Sequence, residues 1–153
     1  MAIDSPSIPR GCTSFKLRRL TRRVSQHYDR VVGECGLKTT QYSLLSQLEQ
    51  LAPVRPSDLA AAMAMDASTL TRNLQPVVER GWAEIHPGKD GRSRLVVLTA
   101  KGRAKRAEAQ RAWKRAQLAL NEQLGGERVA ALHALLDDCL VRLSADHEEM
   151  TDA

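Results

Sequence analysis

A short β-prone stretch interrupts a chain whose other segments have helical periodicity. Residues 82–86 (Trp-Ala-Glu-Ile-His) and 94–98 (Arg-Leu-Val-Val-Leu) flank the loop Pro-Gly-Lys-Asp-Gly-Arg. Two β-rich runs around a glycine-containing loop predict a β-hairpin. The chain is therefore expected to be mainly α-helical, with one small hairpin set among its helices.

Four helices are predicted before the hairpin, because apolar residues recur there at helical spacing. They are expected at residues 15–35, 40–51, 56–63 and 67–80. Gly36 ends the first helix, and Pro56 suits the first position of the third. Asp66 is a suitable N-cap for the fourth helix, which Pro76 is expected to kink.

Two long helices are predicted after the hairpin. Thr99 is placed to cap the first, which runs to about Leu124, and a Gly-Gly pair separates it from the second. The last helix has apolar residues at intervals of 3, 4, 3 and 4: Val129, Leu132, Leu136, Cys139 and Leu143. Cys139 is therefore expected in a core. The central order of helix, short helix, helix and hairpin is typical of a winged helix-turn-helix.

This order divides the chain into regions. A winged helix-turn-helix is expected over residues 37–99, and a helical dimerisation region over residues 12–36 and 100–146. The apolar stripes of the dimerisation helices cannot all be buried inside one 153-residue monomer, so a core shared by two chains is expected. A flexible arm is expected at residues 1–11 and an acidic tail at 147–153.

Composition argues against several classes of protein. The longest wholly apolar run, residues 59–65, is far shorter than the ~20 residues that span a membrane, and the N-terminus lacks a signal-peptide core. Three scattered cysteines do not form a disulfide framework. We expect no metal ligands, catalytic residues or cofactor, because no ligand spacing, phosphate loop or nucleophile motif occurs. A soluble cytoplasmic protein without a membrane partner is the expectation.

The net charge of +5 is unevenly distributed. Residues 86–115 contain ten bases and two acids, a net +8, whereas residues 127–153 contain seven acids and two bases, a net −5. Such clustering suggests a surface that faces a polyanion on one side of the molecule. Ordinary solvated helix faces are the alternative explanation.

The predicted fourth helix has the side chains that contact DNA bases. With Leu70 and Leu74 turned to the core, its remaining polar residues face solvent or a ligand: Ser68, Thr69, Thr71, Arg72, Asn73 and Gln75. Serine and threonine bond phosphate or base, arginine pairs with guanine, and asparagine or glutamine pairs with adenine. Taken alone, this pattern also fits an ordinary polar helix face.

The hairpin loop favours the DNA interpretation. Lys89, Arg92 and Arg94 place cations at the tip of a projecting ribbon, where an arginine can enter a narrow minor groove. Asp90 is unusual in a polyanion-binding loop. Its expected role is structural, bridging to Arg92 or to a backbone amide so that the loop is preshaped.

Several motifs together resemble those of the MarR family of bacterial transcriptional regulators, over nearly the whole chain. They are Leu-Lys-Thr-Thr-Gln-Tyr-Ser-Leu-Leu at 37–45, Asp-Leu-Ala at 58–60, Ser-Thr-Leu-Thr-Arg-Asn-Leu at 68–74, Gly-Trp at 81–82, Asp-Gly-Arg-Ser at 90–93 and Leu-Thr-Ala-Lys-Gly at 98–102. Arg55 departs from the family pattern, because a small hydroxyl residue usually caps the short helix.

The resemblance implies an obligate homodimer that places residues 68–75 in the major groove and Arg92 in the flanking minor groove of double-stranded DNA. Two-fold symmetry then implies a pseudo-palindromic operator with half-sites about one helical turn apart. The family's usual habit favours a repressor over an activator.

The resemblance also implies release by a small phenolic or aromatic effector. Phe15, Arg19, Leu48 and Arg111 would border its pocket, where an arginine suits an anionic ligand. The alternative is that Phe15 and Leu48 belong to the core and the arginines to the surface.

Two further alternatives remain open. Cys12 lies at a helix start near Lys16 and Arg18, and both features favour the reactive thiolate of a peroxide sensor. Cys35, at a helix end, is a second thiol expected to be exposed. A helical interaction scaffold without DNA binding is the alternative from a different class.

Overall fold

A computed structural model describes residues 10–151, with side chains described for residues 10–144. Within this range the elements are α1 (Thr13–Val32) with a 3₁₀ turn (Gly33–Cys35), α2 (Thr39–Leu51), α3 (Pro56–Ala62), α4 (Ala67–Glu79), β1 (Ala83–Pro87), β2 (Arg94–Leu98), α5 (Ala100–Leu124) and α6 (Gly126–Thr151). The predicted fold class, mainly α-helical with a small hairpin, is confirmed. Residues 1–9 of the expected arm lie outside the described residues.

The chain divides into two compact units, Met1–Trp113 and Lys114–Ala153. The first contains α1 to α4, the hairpin and the first half of α5. The second contains the rest of α5 and α6. The division falls inside α5, within the region where dimerisation was expected.

The core of the first unit forms where α2, α3, α4 and the hairpin meet. Leu48, Leu59 and Val77 are completely buried there, at 0% exposure. Val54 forms an isolated antiparallel β-bridge with Val96 of β2. The Val54 N–H donates to Val96 O at 3.1 Å, and the Val96 N–H donates to Val54 O at 2.8 Å. The hairpin with its loop (residues 83–98), called the wing below, is therefore attached to the helical core through backbone bonds as well as through side chains.

Local signals place the helix ends close to where they were predicted. Asp66 caps α4, and α4 continues across Pro76 to Glu79. Arg55 precedes α3 without a side-chain cap, and Pro56 supplies the first helical position. Asp29 of α1 accepts a bond from the Thr39 N–H at 2.8 Å, so one helix caps the next.

The second unit exposes an apolar stripe. Gly125 adopts a left-handed φ of +86° between α5 and α6, which glycine accepts without strain. Leu140 and Leu143 of α6 are 63% and 64% exposed. Cys139 is exposed too, so its expected core position is wrong for the single chain: helical spacing defines a stripe but does not supply its partner. The backbone of α6 extends into the expected acidic tail, as far as Thr151.

Two kinds of feature are absent from the described residues. No helix among them is long and apolar enough to cross a membrane. Nor do any three histidine, cysteine or acidic residues in the described part of the chain cluster closely enough to hold a metal ion.

Candidate nucleic-acid interface

Asp66 organises the start of α4. Its Oδ1 accepts from the Ser68 hydroxyl and the Thr69 N–H, both at 2.7 Å, and its Oδ2 accepts from the Thr69 hydroxyl at 2.9 Å. The Ser68 hydroxyl, followed by the two Thr69 donors, lowers the pKa of Asp66 to about 2. The carboxylate is therefore ionised at neutral pH and acts only as an acceptor.

The six polar residues predicted on the fourth helix all lie on α4, but they differ in exposure. Ser68, Thr71, Arg72 and Gln75 are exposed, whereas Thr69 and Asn73 are half-buried. The Asn73 amide donates to the Met65 sulfur at 3.5 Å. This contact holds the Asn73 side chain against the connection between α3 and α4.

Two other polar side chains of α4 bond within the helix. The Thr71 hydroxyl donates to Ala67 O at 2.8 Å, and the Gln75 amide donates to Glu79 Oε1 at 2.9 Å. Of the six predicted residues, Arg72 carries the guanidinium, which makes one long contact of 3.5 Å to the Thr69 hydroxyl oxygen. This face of α4 thus combines polar side chains held by bonds within the helix with one guanidinium group, that of Arg72.

Asp90 shapes the hairpin loop from inside. Its Oδ1 accepts from the N–H groups of Arg92 and Ser93 at 3.1 and 2.8 Å, and from the Ser93 hydroxyl at 2.6 Å. The Ser93 hydroxyl, then these two amides, lower the pKa of Asp90 to about 2. Gly91 takes a φ of +67° at the turn. Asp90 was expected to bridge either to the Arg92 side chain or to a backbone amide, and the structure shows bonds to backbone amides.

The wing carries three exposed cations: Lys89, Arg92 and Arg94. None of the ion pairs in the described part of the chain uses them. Asp90 is bonded within the loop, because its Oδ1 accepts from two N–H groups and the Ser93 hydroxyl. The loop therefore presents positive charge outward on a backbone with a defined shape.

A junction at the base of the wing explains two of the sequence motifs. The Thr99 hydroxyl donates to Gly81 O at 2.7 Å and accepts from the Gly102 N–H at 2.9 Å, so Thr99 caps α5 as predicted. The Thr99 N–H donates to Trp82 O at 3.1 Å. Gly-Trp at 81–82 and Leu-Thr-x-x-Gly at 98–102 are thus two sides of one contact.

Gly102 has no room for a side chain at this junction. A Cβ there would lie 2.0 Å from Trp82 O and 2.7 Å from Leu98 Cδ1. Trp82 is buried, with the Arg80 guanidinium 5.0 Å from its ring centroid. The structural role of Gly102 was not predicted from the sequence. Its only signal there was its position at the end of the Leu-Thr-x-x-Gly motif.

The four residues predicted to border an effector pocket are not brought together. Phe15 and Arg19 line an open cavity of about 410 Å³ on α1, with Arg22, Arg23 and Gln26. Leu48 is completely buried in the core, and Arg111 is exposed on α5; neither lines that cavity. A pocket built from all four residues stays a prediction.

A second cavity lies between α4 and the hairpin and was missed by sequence reasoning. It has a volume of about 380 Å³ and a mainly apolar lining: Pro56, Leu70, Thr71, Leu74, Gln75, Val78, Glu79, Ile85 and Arg94. Three of its lining residues, Thr71, Gln75 and Arg94, also belong to the predicted DNA surface. Ile85, which lines this cavity, is an exposed apolar residue of β1, and no signal in the sequence marked it.

Cys12 and Cys35 occupy different environments. Cys12 is exposed and precedes α1. The nearby Lys16 ammonium donates to Arg10 O at 2.7 Å, and Arg18 donates to Ser14 Oγ at 3.0 Å. Cys35, which was expected to be exposed, is half-buried, because its thiol packs 3.9 Å from Glu108 O of α5. A redox role for Cys12 stays a prediction.

Comparisons with known proteins identify a family. The MarR family model matches residues 36–93. The multiple antibiotic resistance protein MarR of Salmonella typhimurium is 30% identical over 130 residues, covering 81% of this chain and 90% of that protein.

Solved structures give the same result. A probable transcriptional regulator from Pseudomonas aeruginosa aligns with a TM-score of 0.76 and 27% identity, covering 84% of this chain and 96% of its own. The M. tuberculosis transcriptional regulator MosR, solved in complex with DNA, has a TM-score of 0.68 and 31% identity over 84% of this chain and 98% of its own.

Proposed function

Because this chain belongs to the MarR family, we propose that it is a sequence-specific DNA-binding transcriptional regulator. It acts as a homodimer and represses nearby genes until a small aromatic effector releases it. The observation that carries the proposal is the combination of a polar α4 face with a preshaped wing whose tip presents Arg92. Residues 37–99 would bind DNA, and residues 12–36 and 100–146 would form the dimer.

The proposed DNA contacts follow from side-chain chemistry. The exposed residues of α4 enter the major groove, where each base pair has its own donor and acceptor pattern. Arg92 enters the flanking minor groove, and Lys89 and Arg94 lie against phosphates. Because Asp90 Oδ1 accepts three loop hydrogen bonds, part of its negative charge is offset within the loop.

A second copy of the chain is the proposed partner of the exposed apolar side chains. Phe15 and Leu17 of α1 are exposed, as are Leu135, Leu140 and Leu143 of α6. Apolar surface of this extent marks an interface in a water-soluble regulator. A two-fold dimer would place two copies of α4 on a pseudo-palindromic operator, with half-sites about one helical turn apart.

The dimer proposal is tested by placing a charge on the apolar stripe. We expect Leu143→Glu to raise the dimer dissociation constant at least ~100-fold, because each copy would bury an unpaired carboxylate in the interface. Sedimentation equilibrium measures the constant. Ala134→Glu is the matched control: this exposed residue lies about two and a half turns away on the opposite face of α6. Equal dimerisation by both variants would contradict the proposed interface.

The cavity between α4 and the hairpin supports release by an effector. Its volume of about 380 Å³ suits a small aromatic molecule, and Arg94 can pair with a carboxylate or phenolate. Thr71, Gln75 and Arg94 line the cavity and belong to the DNA surface. A ligand held there would therefore compete with DNA for the same side chains.

A mobility-shift titration on the DNA upstream of the gene tests the function as a whole. We expect specific retardation that salicylate-like aromatics abolish, and we expect transcription from that promoter to rise when the protein is removed. Retardation that survives every aromatic tested would contradict effector release. Loss with peroxide that is restored by dithiothreitol, and is absent in Cys12→Ser, would establish the redox alternative instead. No specific binding to any DNA would contradict the proposed function.

A further inference from the structure

The hydroxyl hydrogens at the start of α4 are all used inside the protein. Ser68 and Thr69 lie 2.7 and 2.9 Å from the two oxygens of Asp66, and Thr71 lies 2.8 Å from Ala67 O. A carboxylate and a carbonyl can only accept, so each hydroxyl must be the donor of its bond. Ser68, Thr69 and Thr71 therefore offer lone pairs, and no hydrogen, to anything that approaches α4. One Thr69 lone pair already accepts from Arg72 at 3.5 Å, which leaves the second for a ligand.

This polarity restricts what these side chains can bind. A phosphate oxygen is also only an acceptor, so a hydroxyl that already donates to Asp66 has no bond to give it. In the major groove, only the amino groups of adenine N6 and cytosine N4 donate, whereas guanine N7 and O6 and thymine O4 accept. Hydroxyls in this state match adenine and cytosine.

We infer that Asp66 sets the base preference of α4 by holding the Ser68 and Thr69 hydroxyls as acceptors, so that they select bases with a major-groove amino group. The inference rests on the proposed function and deepens it. Asp66 itself is a positioning residue: it acts through two neighbouring side chains and contacts no base. Arg72, the cation of this face, supplies the complementary donor and matches guanine.

Asp66→Asn separates this role from capping. Asparagine is as good an N-cap as aspartate, because its amide oxygen still accepts from the Thr69 N–H. In the variant, Nδ2 replaces the Oδ2 that accepted from the Thr69 hydroxyl. An N–H donor therefore faces the Thr69 hydroxyl oxygen, which can no longer donate in that direction. The Thr69 hydrogen is released to point outward, so Thr69 can donate to guanine or thymine.

The test uses base analogues in the operator. Each adenine in a half-site is replaced in turn by purine, which lacks the N6 amino group, and each cytosine by 2-pyrimidinone, which lacks N4. For the wild type, we expect replacement at one or two adjacent positions to raise the dissociation constant about 2- to 10-fold, because each replacement removes a single hydrogen bond. In Asp66→Asn this penalty should disappear at the position facing Thr69, and guanine or thymine should become preferred there.

Asp58→Asn provides the matched control, since Asp58 is an exposed acid in the first turn of α3. It removes the same charge near DNA, so both variants should bind all sequences more tightly, but only Asp66→Asn should change the base preference. Thermal unfolding of both variants checks that α4 is intact. Asp66→Asn with the wild-type analogue profile, or a wild-type protein insensitive to every amino deletion, would overturn the inference alone. A wild-type protein without specific DNA binding would overturn it together with the proposed function.

Discussion

Arg92→Ala should weaken operator binding by about 30- to 1,000-fold at fixed salt. An arginine contact to DNA contributes about 1–2 kcal/mol, and a symmetric dimer loses two of them, or about 2–4 kcal/mol. The cost to folding should be small, because Arg92 is exposed and its described loop bonds use its backbone N–H, not its side chain. The measurement is a fluorescence-anisotropy titration at several salt concentrations, where the slope of log K against log salt should fall in magnitude by about two.

Two variants show what kind of interaction Arg92 makes. Arg92→Lys keeps the charge, so the salt slope should stay near the wild-type value while preference for a narrow minor groove declines. Arg103→Ala removes an exposed cation from α5, outside the wing, and should have a much smaller effect. Operator binding by Arg92→Ala that equals wild type would contradict the proposed minor-groove contact and favour the scaffold alternative.

Gly102→Ala should destabilise the protein by about 2–4 kcal/mol, a large overpacking cost. The added Cβ would lie 2.0 Å from the Trp82 carbonyl oxygen, which is backbone and cannot rotate away. The start of α5 must therefore move, which breaks the bond from the Gly102 N–H to Thr99 Oγ1. Thermal unfolding at one protein concentration should show a midpoint lowered by several degrees, and the base of the wing should lose protection from hydrogen exchange.

Gly126→Ala is the control for this prediction. Gly126 begins α6, and nothing lies within 4 Å of a Cβ built on it. Alanine is the better helix former, so this variant should be neutral or more stable by up to ~1 kcal/mol. An unfolding midpoint for Gly102→Ala equal to that of wild type would contradict the prediction. It would show that Trp82 and the start of α5 can move apart without loss of stability.

Much of the fold was predictable because its signals are local. Asp66, Thr99 and Gly36 mark helix ends through bonds to residues at most four positions away, and these marks are visible in sequence. The hairpin was predictable for the same reason. The six polar residues of α4 were placed on one helix by periodicity alone, but which of their hydrogens are already used depends on atomic contacts.

The sequence by itself determined the order of elements, the family, the cations of the wing and the polar face of α4, because these depend on residue types and their spacing along the chain. Only the tertiary structure decided the burial of Leu48, the collision that keeps residue 102 a glycine and the cavity between α4 and the hairpin. These depend on how different segments pack against one another in space, which the spacing of residues within a segment does not encode. The exposed Cys139 shows the same principle at the surface of α6: periodicity marks an apolar stripe, whereas burial requires a partner to cover it.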